Sequence, residues 1–549
     1  MNKVLVFFPT YNEAGNTSAL IDAIREYLPN ADILVIDDAS PDGTGERLDS
    51  LAKARTGLRV IHRPRKMGVG SAHKLAILYA RHHQYDSLIT MDADFSHHPR
   101  YLPNFVDHLR KFDFVTGSRY VDGGSCNYGL YRTFISRAAN LVAQIGVGLR
   151  LKENTTLYRG YRLPLMERLN INRIKSEGYS FAVESIYRIS QIAEGMAEFP
   201  IDFENRLTGQ SKISKKEIYR AILTVLRLSL GRLINYDLSP ATSSTVYPPP
   251  LITCGNCGGI HHIELFPPRE PTESIRDRAP YSCAHHSVRT HGQILRCLQC
   301  GMIFMRPKFN PKELVQEYVQ VEDPTYLKNV RVRERMFEYN LSKVAHYTRP
   351  GQRLLDVGSY CGAFLKVARD QGLEVVGVEP SSWAVEVSRS LVDAPVFRGT
   401  LGDLPEEIGT FDVITLWDVL EHMADPIQEL KKINSLLKPQ GTFLFSTLMI
   451  DNWFPKLTGK HWPWLMEMHL YYFTEETISD VLDRSRFTIM ESFAYCHMVN
   501  LSYLFDKLET LGLPKADLLG KLVAGNLLGE KVVPFKLGDI KLFVCKKRL

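Results

Sequence analysis

Three groups of residues in this 549-residue chain have types and spacings that could do chemistry. The first is a pair of acidic runs, Asp37-Asp38-Ala39-Ser40-Pro41-Asp42 and Met91-Asp92-Ala93-Asp94, each closing an apolar run. Carboxylates one residue apart can turn oxygens toward one hard cation, and that cation can bridge the two phosphates of a nucleotide diphosphate. Asp92 and Asp94 are therefore candidate ligands for Mg2+ or Mn2+. The second group is Cys254-Gly255-Asn256-Cys257-Gly258 with Cys297-Leu298-Gln299-Cys300-Gly301. Two-residue gaps let four thiolates face one structural Zn2+, and the glycine after each pair relaxes the turn. The long stretch between the pairs carries Cys283, His285 and His286, whose role the spacing leaves open. The third group is Asp356-Val357-Gly358-Ser359-Tyr360-Cys361-Gly362, a strand running into a glycine turn, with Glu379 ending the next strand 23 positions after Asp356. That pattern suits an adenosine ligand, with backbone close to it at the glycines and a carboxylate on the ribose hydroxyls. A nicotinamide dinucleotide is the competing ligand, and the absence of a Gly-x-Gly-x-x-Gly turn stands against it.

The elements that must position these groups are visible as periodicities. Apolar runs Val4–Phe8, Ile33–Ile36, Leu58–Ile61 and Leu88–Met91 alternate with helical patterns such as Ser18–Tyr27 and Ser71–His82. This predicts a parallel α/β sheet with both acidic runs at strand carboxyl ends, where open sheets bind ligands. A second strand-helix alternation starts near Leu354, and Ser239–Pro250, rich in Ser, Thr and Pro, breaks the chain between the two. The length suggests about three or four domains. With 44% hydrophobic and 23% charged residues the chain is globular, and a net charge of +6 is too small for a dedicated nucleic-acid binder, so nucleic acid is not an expected partner.

The apolar run Val4–Phe8 that follows Lys3 reads as a first strand, too short for a signal-peptide core. The longest apolar stretch, Ile218–Ile234, is interrupted by Arg220, Arg227 and Arg232 and is not a membrane span. Nine cysteines, four of them in Cys-x-x-Cys pairs, favour a reducing compartment, so the cytoplasm is expected. Within Lys215–Tyr236, Ile218, Ile222, Val225, Leu226 and Leu233 fall near one helical stripe, with Lys215, Lys216, Arg220 and Arg227 beside or opposite it. Such a helix either lies on an anionic membrane surface or packs as an ordinary core helix.

Residues 1 to 236 resemble the family-two nucleotide-sugar transferases, and among them the dolichol-phosphate mannosyltransferase group. The resemblance rests on Pro9-Thr10-Tyr11-Asn12-Glu13, Asp37 through Thr44, Arg63 through Ala72, Met91 through Pro99, and Arg206-x-x-Gly209-x-Ser211-Lys212. It implies a GT-A fold in which Pro9, Tyr11, Glu13 and Asp38 hold the nucleoside and Asp92 and Asp94 the metal. Arg119, Arg132, Arg206 and Lys212 would then hold phosphates, with Asp94, Arg119 and Arg132 acting in catalysis. The partners implied are a GDP- or UDP-linked sugar and a polyprenyl phosphate. A phosphate monoester is already ionised near neutral pH, so it needs no general base, and in-line attack would invert the sugar's anomeric centre. Glu153 through Arg159 departs from the family's Asp-x-Thr-Ser-Gly-Phe-Arg, and Phe181 through Glu184 lacks a usual glutamine; both point to a different acceptor or sugar choice.

Residues 340 to 490 resemble class I S-adenosylmethionine methyltransferases, through the Asp356 turn, Glu379, Gly402-Asp403-Leu404, Phe411 through Ile414 and Trp417 through Pro426. The zinc-ribbon-first order is similar to a group containing sugar C-methyltransferases. The resemblance implies a Rossmann-like fold in which Asp356, Gly358 and Gly362 shape the donor pocket, Glu379 holds ribose and Asp403 lies near adenine. Tyr360 stands where the wider class has glycine. A hydroxyl or carbon acceptor must lose a proton, and His422 and His469 are candidates to take it. Trp462 and Trp464 either line an acceptor pocket or pack.

The expected domains are a glycosyltransferase at 1–238, a linker at 239–250, a zinc-ribbon module with connecting helices at 251–340, a methyltransferase at 341–495 and a C-terminal extension at 496–549. Together they describe a bifunctional α/β enzyme, peripheral on the cytoplasmic membrane face, whose methyl acceptor is a sugar or glycan precursor. Two alternatives stay open: the C-terminal half methylates RNA or protein, or one half is an inactive binding module.

Overall fold

The computed structural model describes residues 3–126, 130–178, 180–204, 215–233, 252–269, 290–306, seven positions between 316 and 327, 329–501 and 531–548, with the side chains of 130–135, 139, 215–218, 233 and 499 excepted. They form two compact units: residues 1–252 with 259–263 and 297–301, and residues 253–258, 264–296 and 302–549.

The first unit contains β1 (Val4–Thr10), β2 (Asp32–Asp37), β3 (Leu58–His62), β4 (Ser87–Thr90), β5 (Phe114–Ser118), β6 (Ser125–Cys126), β7 (Arg159–Arg162), β8 (Met196–Pro200) and β9 (Asp202–Phe203). Seven of these make one sheet in the order β3-β2-β1-β4-β7-β5-β8. Its neighbours are parallel except β7, which runs antiparallel to β4 and β5. The all-parallel expectation fails there for a local reason. Tyr158 enters beside the carboxyl end of β5, where the Gly117 N–H donates to its carbonyl at 3.1 Å, so the strand that follows runs back in the reverse direction. Val6 and Phe8 of β1 and Ile33 and Val35 of β2 point to one face of the sheet, as the two-residue period requires. The helix Thr17–Tyr27 covers that face with Leu20, Ile21 and Ile24.

In the second unit, β13 (Arg353–Val357), β14 (Glu374–Glu379), β15 (Val396–Arg398), β16 (Phe411–Trp417), β17 (Leu437–Leu448), β19 (Phe487–Ala494) and β22 (Ile540–Lys547) form a sheet in the order β15-β14-β13-β16-β17-β22-β19. All neighbours are parallel up to β17, and β22 runs antiparallel between β17 and β19. β22 lies in the segment expected as an extension, yet it completes the sheet, with Leu542 and Val544 buried in the core. β20 (His497–Asn500) and β21 (Val532–Phe535) form a separate antiparallel pair. The strands β10 (His262–Phe266), β11 (Ile294–Cys297) and β12 (Ile303–Met305) make a small sheet whose fourth strand is β18 (Tyr471–Tyr472).

Candidate active sites

In the first sheet β1 lies between β2 and β4, so the chain leaves it in opposite directions and a crevice opens at the carboxyl ends of these strands. Pro9, Tyr11, Glu13, Asp38, Asp92 and Asp94 all fall at that edge. Arg63, fully buried, donates from Nε to Asp38 Oδ1, from Nη1 to Ser71 Oγ (2.6 Å) and from Nη2 to the Gly68 carbonyl (3.2 Å). The Met67 N–H takes the other Asp38 oxygen at 3.1 Å. Asp38 thus fixes the Arg63–Ser71 loop as well as facing the crevice. Gly68 (φ +91°) and Gly70 let this loop touch the backbone at Glu177, since an added Cβ would come within 2.8 and 2.7 Å of its carbonyl oxygen. Lys66 Nζ sits 4.1 Å from the centre of the Tyr11 ring, which puts a cation beside the position expected to hold the nucleoside. Glu13 accepts from Asn16 Nδ2 at 2.9 Å, and its N–H is held by Thr44 Oγ1 at 3.0 Å.

Asp92 and Asp94 follow β4 in a turn where Phe95 takes a left-handed backbone (φ 63°). Asp94 is buried and its Oδ1 accepts from the Ser96 N–H (3.1 Å) and hydroxyl (2.5 Å). The Asp92 N–H donates to His97 Nδ1 at 2.9 Å, so the ring proton resides on Nε2, which donates to Thr156 Oγ1 at 3.0 Å. Burial pushes the His97 imidazole down to about 3, against the pull of Asp94, so it is neutral near pH 7. The donor set suits a hard cation that keeps water and diphosphate oxygens as its remaining ligands. His97 was not among the candidates read from sequence, although the run Asp94-Phe95-Ser96-His97 contained it.

Arg119 is buried and makes a two-point contact with Glu153, Nε to Oε2 at 2.7 Å and Nη2 to Oε1 at 2.9 Å, with Thr155 Oγ1 a further 3.0 Å partner. Burial alone would raise the Glu153 carboxyl, but Arg119 and the Thr155 hydrogen bonds hold it below its usual value. The Glu153 departure is therefore the carboxylate that neutralises Arg119. The backbone of Arg132 belongs to the helix Leu130–Val147 and its side chain lies outside the described ones; Arg206 and Lys212 lie outside the described residues.

The helix Lys215–Leu233 has two apolar faces rather than the one stripe expected. Val225 and Leu228 are buried, and Ser229 Oγ donates to the Gly146 carbonyl at 2.8 Å in the helix Leu130–Val147. Ile222 and Leu226 instead point outward with Tyr219, Leu223 and Leu230, and Leu141, Val142 and Ile145 of the neighbouring helix are exposed too. Among the described residues no helix is long and apolar enough to cross a membrane.

In the second unit β13 lies between β14 and β16, and the glycine turn stands at that switch point. Gly358 (φ 71°), Tyr360 (φ 45°) and Gly362 (φ 79°) all adopt left-handed backbone. A Cβ on Gly358 would lie 2.6 Å from Val419, and one on Gly362 2.3 Å from Ser388 Oγ. Tyr360 keeps the backbone conformation a glycine would give, and its N–H donates to Glu379 Oε2 at 2.9 Å. Glu379 Oε1 accepts the Ser381 N–H at 2.9 Å. Asp356 Oδ1 accepts the Thr415 hydroxyl at 2.6 Å, whereas its Oδ2, like Ser359 Oγ, is buried with no hydrogen-bond partner among the described residues. Burial raises Asp356 to about 8, with Glu379 adding to the rise, and burial raises Glu379 to about 7. Unfilled acceptors beside a left-handed turn fit a donor that brings an amino group and hydroxyls. Asp403 is exposed and its Oδ2 caps a short turn by accepting the Thr400 N–H and hydroxyl, both at 2.8 Å.

His422 and His469 come together, with ring centroids 4.8 Å apart. Burial pushes His422 down to about 4 and His469 well below the ordinary imidazole value, so both are neutral near pH 7. Glu421, absent from the sequence candidates, is fully buried beside them; burial and Asp418 push it up to about 8. The adjacent Glu-His pair at the end of a strand was the signal for it. Trp462 and Trp464 both donate their indole N–H to Asp539 Oδ2, at 3.0 and 3.1 Å, and Trp462 is buried: it packs.

The sulfurs of Cys254, Cys257, Cys297 and Cys300 lie within 4.8 Å of one another. Each knuckle closes with the same bond, Gly258 N–H to the Cys254 carbonyl (2.8 Å) and Gly301 N–H to the Cys297 carbonyl (2.9 Å), and both glycines are left-handed, φ 72° and 84°. Four thiolates so gathered fit tetrahedral zinc. The eight cysteines among the described residues form no disulfide, and Cys283, His285 and His286 lie outside them.

Against known proteins, the glycosyl transferase family 2 model matches residues 5–168 and a methyltransferase domain model matches residues 330–492. An undecaprenyl-phosphate mannosyltransferase of Micrococcus luteus is 38% identical over 230 residues, 42% of this chain and 95% of that protein. A polyprenol monophosphomannose synthase of Mycolicibacterium smegmatis is 35% identical over 235 residues, 42% of this chain and 89% of that protein. A solved TehB-like SAM-dependent methyltransferase from Corynebacterium glutamicum overlaps 41% of this chain and 100% of its own, at 15% identity and a TM-score of 0.26.

Proposed function

The chain belongs to glycosyl transferase family 2 through its first unit, and from that premise we propose a bifunctional enzyme. The first half transfers mannose or a similar hexose, with inversion, from a nucleotide sugar to polyprenyl phosphate. The second half methylates a sugar or glycan precursor from S-adenosylmethionine. The observation that carries the first activity is the match across nearly the whole length of a mannosyltransferase whose name states a polyprenyl phosphate acceptor. The methyltransferase domain match over residues 330–492 carries the second.

Pro9, Tyr11, Glu13 and Asp38 are assigned to the nucleoside, and Asp92 and Asp94 to Mg2+ or Mn2+. The cation supplies charge to the leaving diphosphate, where charge develops in the transition state. Arg119 is already neutralised by Glu153, so the positive charge the phosphates need is assigned to the metal, Arg132, Arg206 and Lys212. The acceptor is a lipid, and the outward apolar faces of the helices Leu130–Val147 and Lys215–Leu233 are assigned to a peripheral contact with the cytoplasmic membrane face. In the second half, Asp356, Gly358, Gly362, Glu379 and Asp403 are assigned to S-adenosylmethionine, His422 and His469 to the acceptor side, and the four cysteines to structural Zn2+. β18 of the ribbon sheet lies two residues after His469, which gives the ribbon a positioning part.

The test is sugar transfer to a short polyprenyl phosphate with Mg2+ and GDP- or UDP-linked hexoses. Asp94→Asn should lower the rate by about 100-fold or more, the scale of losing one charge-stabilising group. Equal rates for wild type and variant would remove Asp94 from the site.

A further inference from the structure

Glu421, His422 and His469 each offer one ligand atom, and those atoms lie within 4.8 Å of one another at the carboxyl end of β16. They come from two segments that the backbone ties together. The Leu470 N–H donates to the Glu421 carbonyl at 2.8 Å, and β18, which follows, pairs with β12 of the ribbon. His469 turns Nδ1 to the Trp464 carbonyl at 2.8 Å, and His422 Nδ1 lies 2.9 Å from the Met468 carbonyl and 2.8 Å from the Tyr318 hydroxyl. A carbonyl only accepts, so His469 Nδ1 carries the proton and its Nε2 keeps its lone pair. Metal-binding histidines are oriented by this kind of second contact.

The carboxylate points the same way. Glu421 is fully buried; its Oε2 takes the Thr447 hydroxyl at 2.9 Å and its Oε1 has no hydrogen-bond partner among the described residues. An acceptor buried in this state is costly until something completes it. Asp418, three residues earlier, adds a second carboxylate; its backbone is left-handed (φ 56°) and its Oδ1 accepts the Ser446 hydroxyl at 2.6 Å.

We propose that Glu421, His422 and His469 bind one divalent transition-metal ion of the Mn2+ to Zn2+ series, and that this ion receives the hydroxyl oxygen of the methyl acceptor. Two imidazoles and one carboxylate leave coordination positions open for such an oxygen. The metal site stands on the geometry alone, whereas its role with the acceptor rests on the methyltransferase reading above. A hydroxyl on the ion loses its proton to water more readily. Its oxygen then forms the new O–C bond to the methyl group while the S–C bond breaks and its electron pair stays on sulfur, leaving a thioether. The histidines act as ligands, and the methylated group is an oxygen.

The experiment uses the full chain carrying Asp92→Asn and Asp94→Asn, so that the first unit's carboxylates do not compete, and titrates Mn2+ followed by electron paramagnetic resonance. One equivalent should bind, with pulsed spectra showing nitrogen couplings from two imidazoles. Glu421→Gln and His469→Gln should each weaken Mn2+ binding by about tenfold or more, the usual scale for damage to a metal site, while calorimetry shows S-adenosylmethionine binding within about twofold of the parent. If a variant loses both ligands through misfolding, the nitrogen couplings of the parent decide. Absence of bound Mn2+, bound Mn2+ without nitrogen coupling, or unchanged affinity in both folded variants overturns the site. Mn2+ bound through two imidazoles in a chain that binds no S-adenosylmethionine would keep the metal site and sink the methyltransferase reading.

Discussion

At the scale of single residues, the chemistry of both units depends on charges taken out of water and then answered. Glu153 and Arg119 answer each other completely enough that neither can be removed alone. Glu153→Ala should cost the first unit about 3–5 kcal/mol, as expected when one partner of a buried pair is deleted, read as a lower denaturation midpoint for that unit; a loss below about 1 kcal/mol would show the pair to be solvated. Asp356 is answered only in part. Its folded value of about 8 lies above the ordinary 3.8, so between those limits the folded state holds a proton that the unfolded state has released. The stability contribution is thus fully present below about pH 4 and lost as pH rises toward 8. Asp356→Asn removes the titration, so its stability relative to wild type should rise across that window, by up to about 1.4 kcal/mol per pH unit, in denaturant titrations of the protein without ligand. A difference that stays constant with pH would mean that Asp356 is ionised throughout. Neither behaviour was legible in the sequence: Glu153 and Arg119 are 34 positions apart, and the burial of Asp356 is made by strands that only the fold brings beside it.

At the scale of elements, strand ends were legible because apolar runs closing on Asp, Gly or Glu mark where open sheets bind ligands. The direction of β7 was not, because a four-residue strand such as Arg159–Arg162 reads the same either way. β22 was missed because a short apolar run near the chain end carries no sign of the partner strands Leu437–Leu448 and Phe487–Ala494 that enclose it. The helix Lys215–Leu233 shows the limit of reading a single stripe. Its periodicity revealed an apolar face, but which face is covered depends on Gly146, in a helix about 80 residues earlier, where the chain approaches closely enough for Ser229 to bond its carbonyl. The outward face predicts an outcome. Ile145→Glu combined with Leu226→Glu should reduce co-sedimentation with anionic phospholipid vesicles by about tenfold, since a charge replaces apolar area on a binding face. Binding of the water-soluble nucleotide sugar should be unchanged. Full vesicle binding by the double variant would assign that face to another partner.

At the scale of the whole molecule, the chain joins a glycosyltransferase of family 2 to a methyltransferase domain, with two Cys-x-x-Cys pairs between the matched segments in sequence. The two-domain character was legible because each half repeats the strand-turn-helix logic with its own acidic and glycine markers, and the proline-rich Ser239–Pro250 separates them. The identities of the sugar and of the methyl acceptor were not, because those are decided by side chains meeting across loops rather than by any run of sequence. The central claim is that one polypeptide performs both a glycosyl and a methyl transfer in building a glycan precursor. Its most direct test is mass spectrometry of lipid products after incubating the purified full chain with polyprenyl phosphate, Mg2+ and a mixture of nucleotide sugars, with and without S-adenosylmethionine. A lipid carrying one hexose is expected in both reactions, and a further methyl mass only when S-adenosylmethionine is present. Donor binding without any hexosyl lipid would contradict the polyprenyl phosphate assignment, and a hexosyl lipid that never gains a methyl group would contradict a shared product for the two halves.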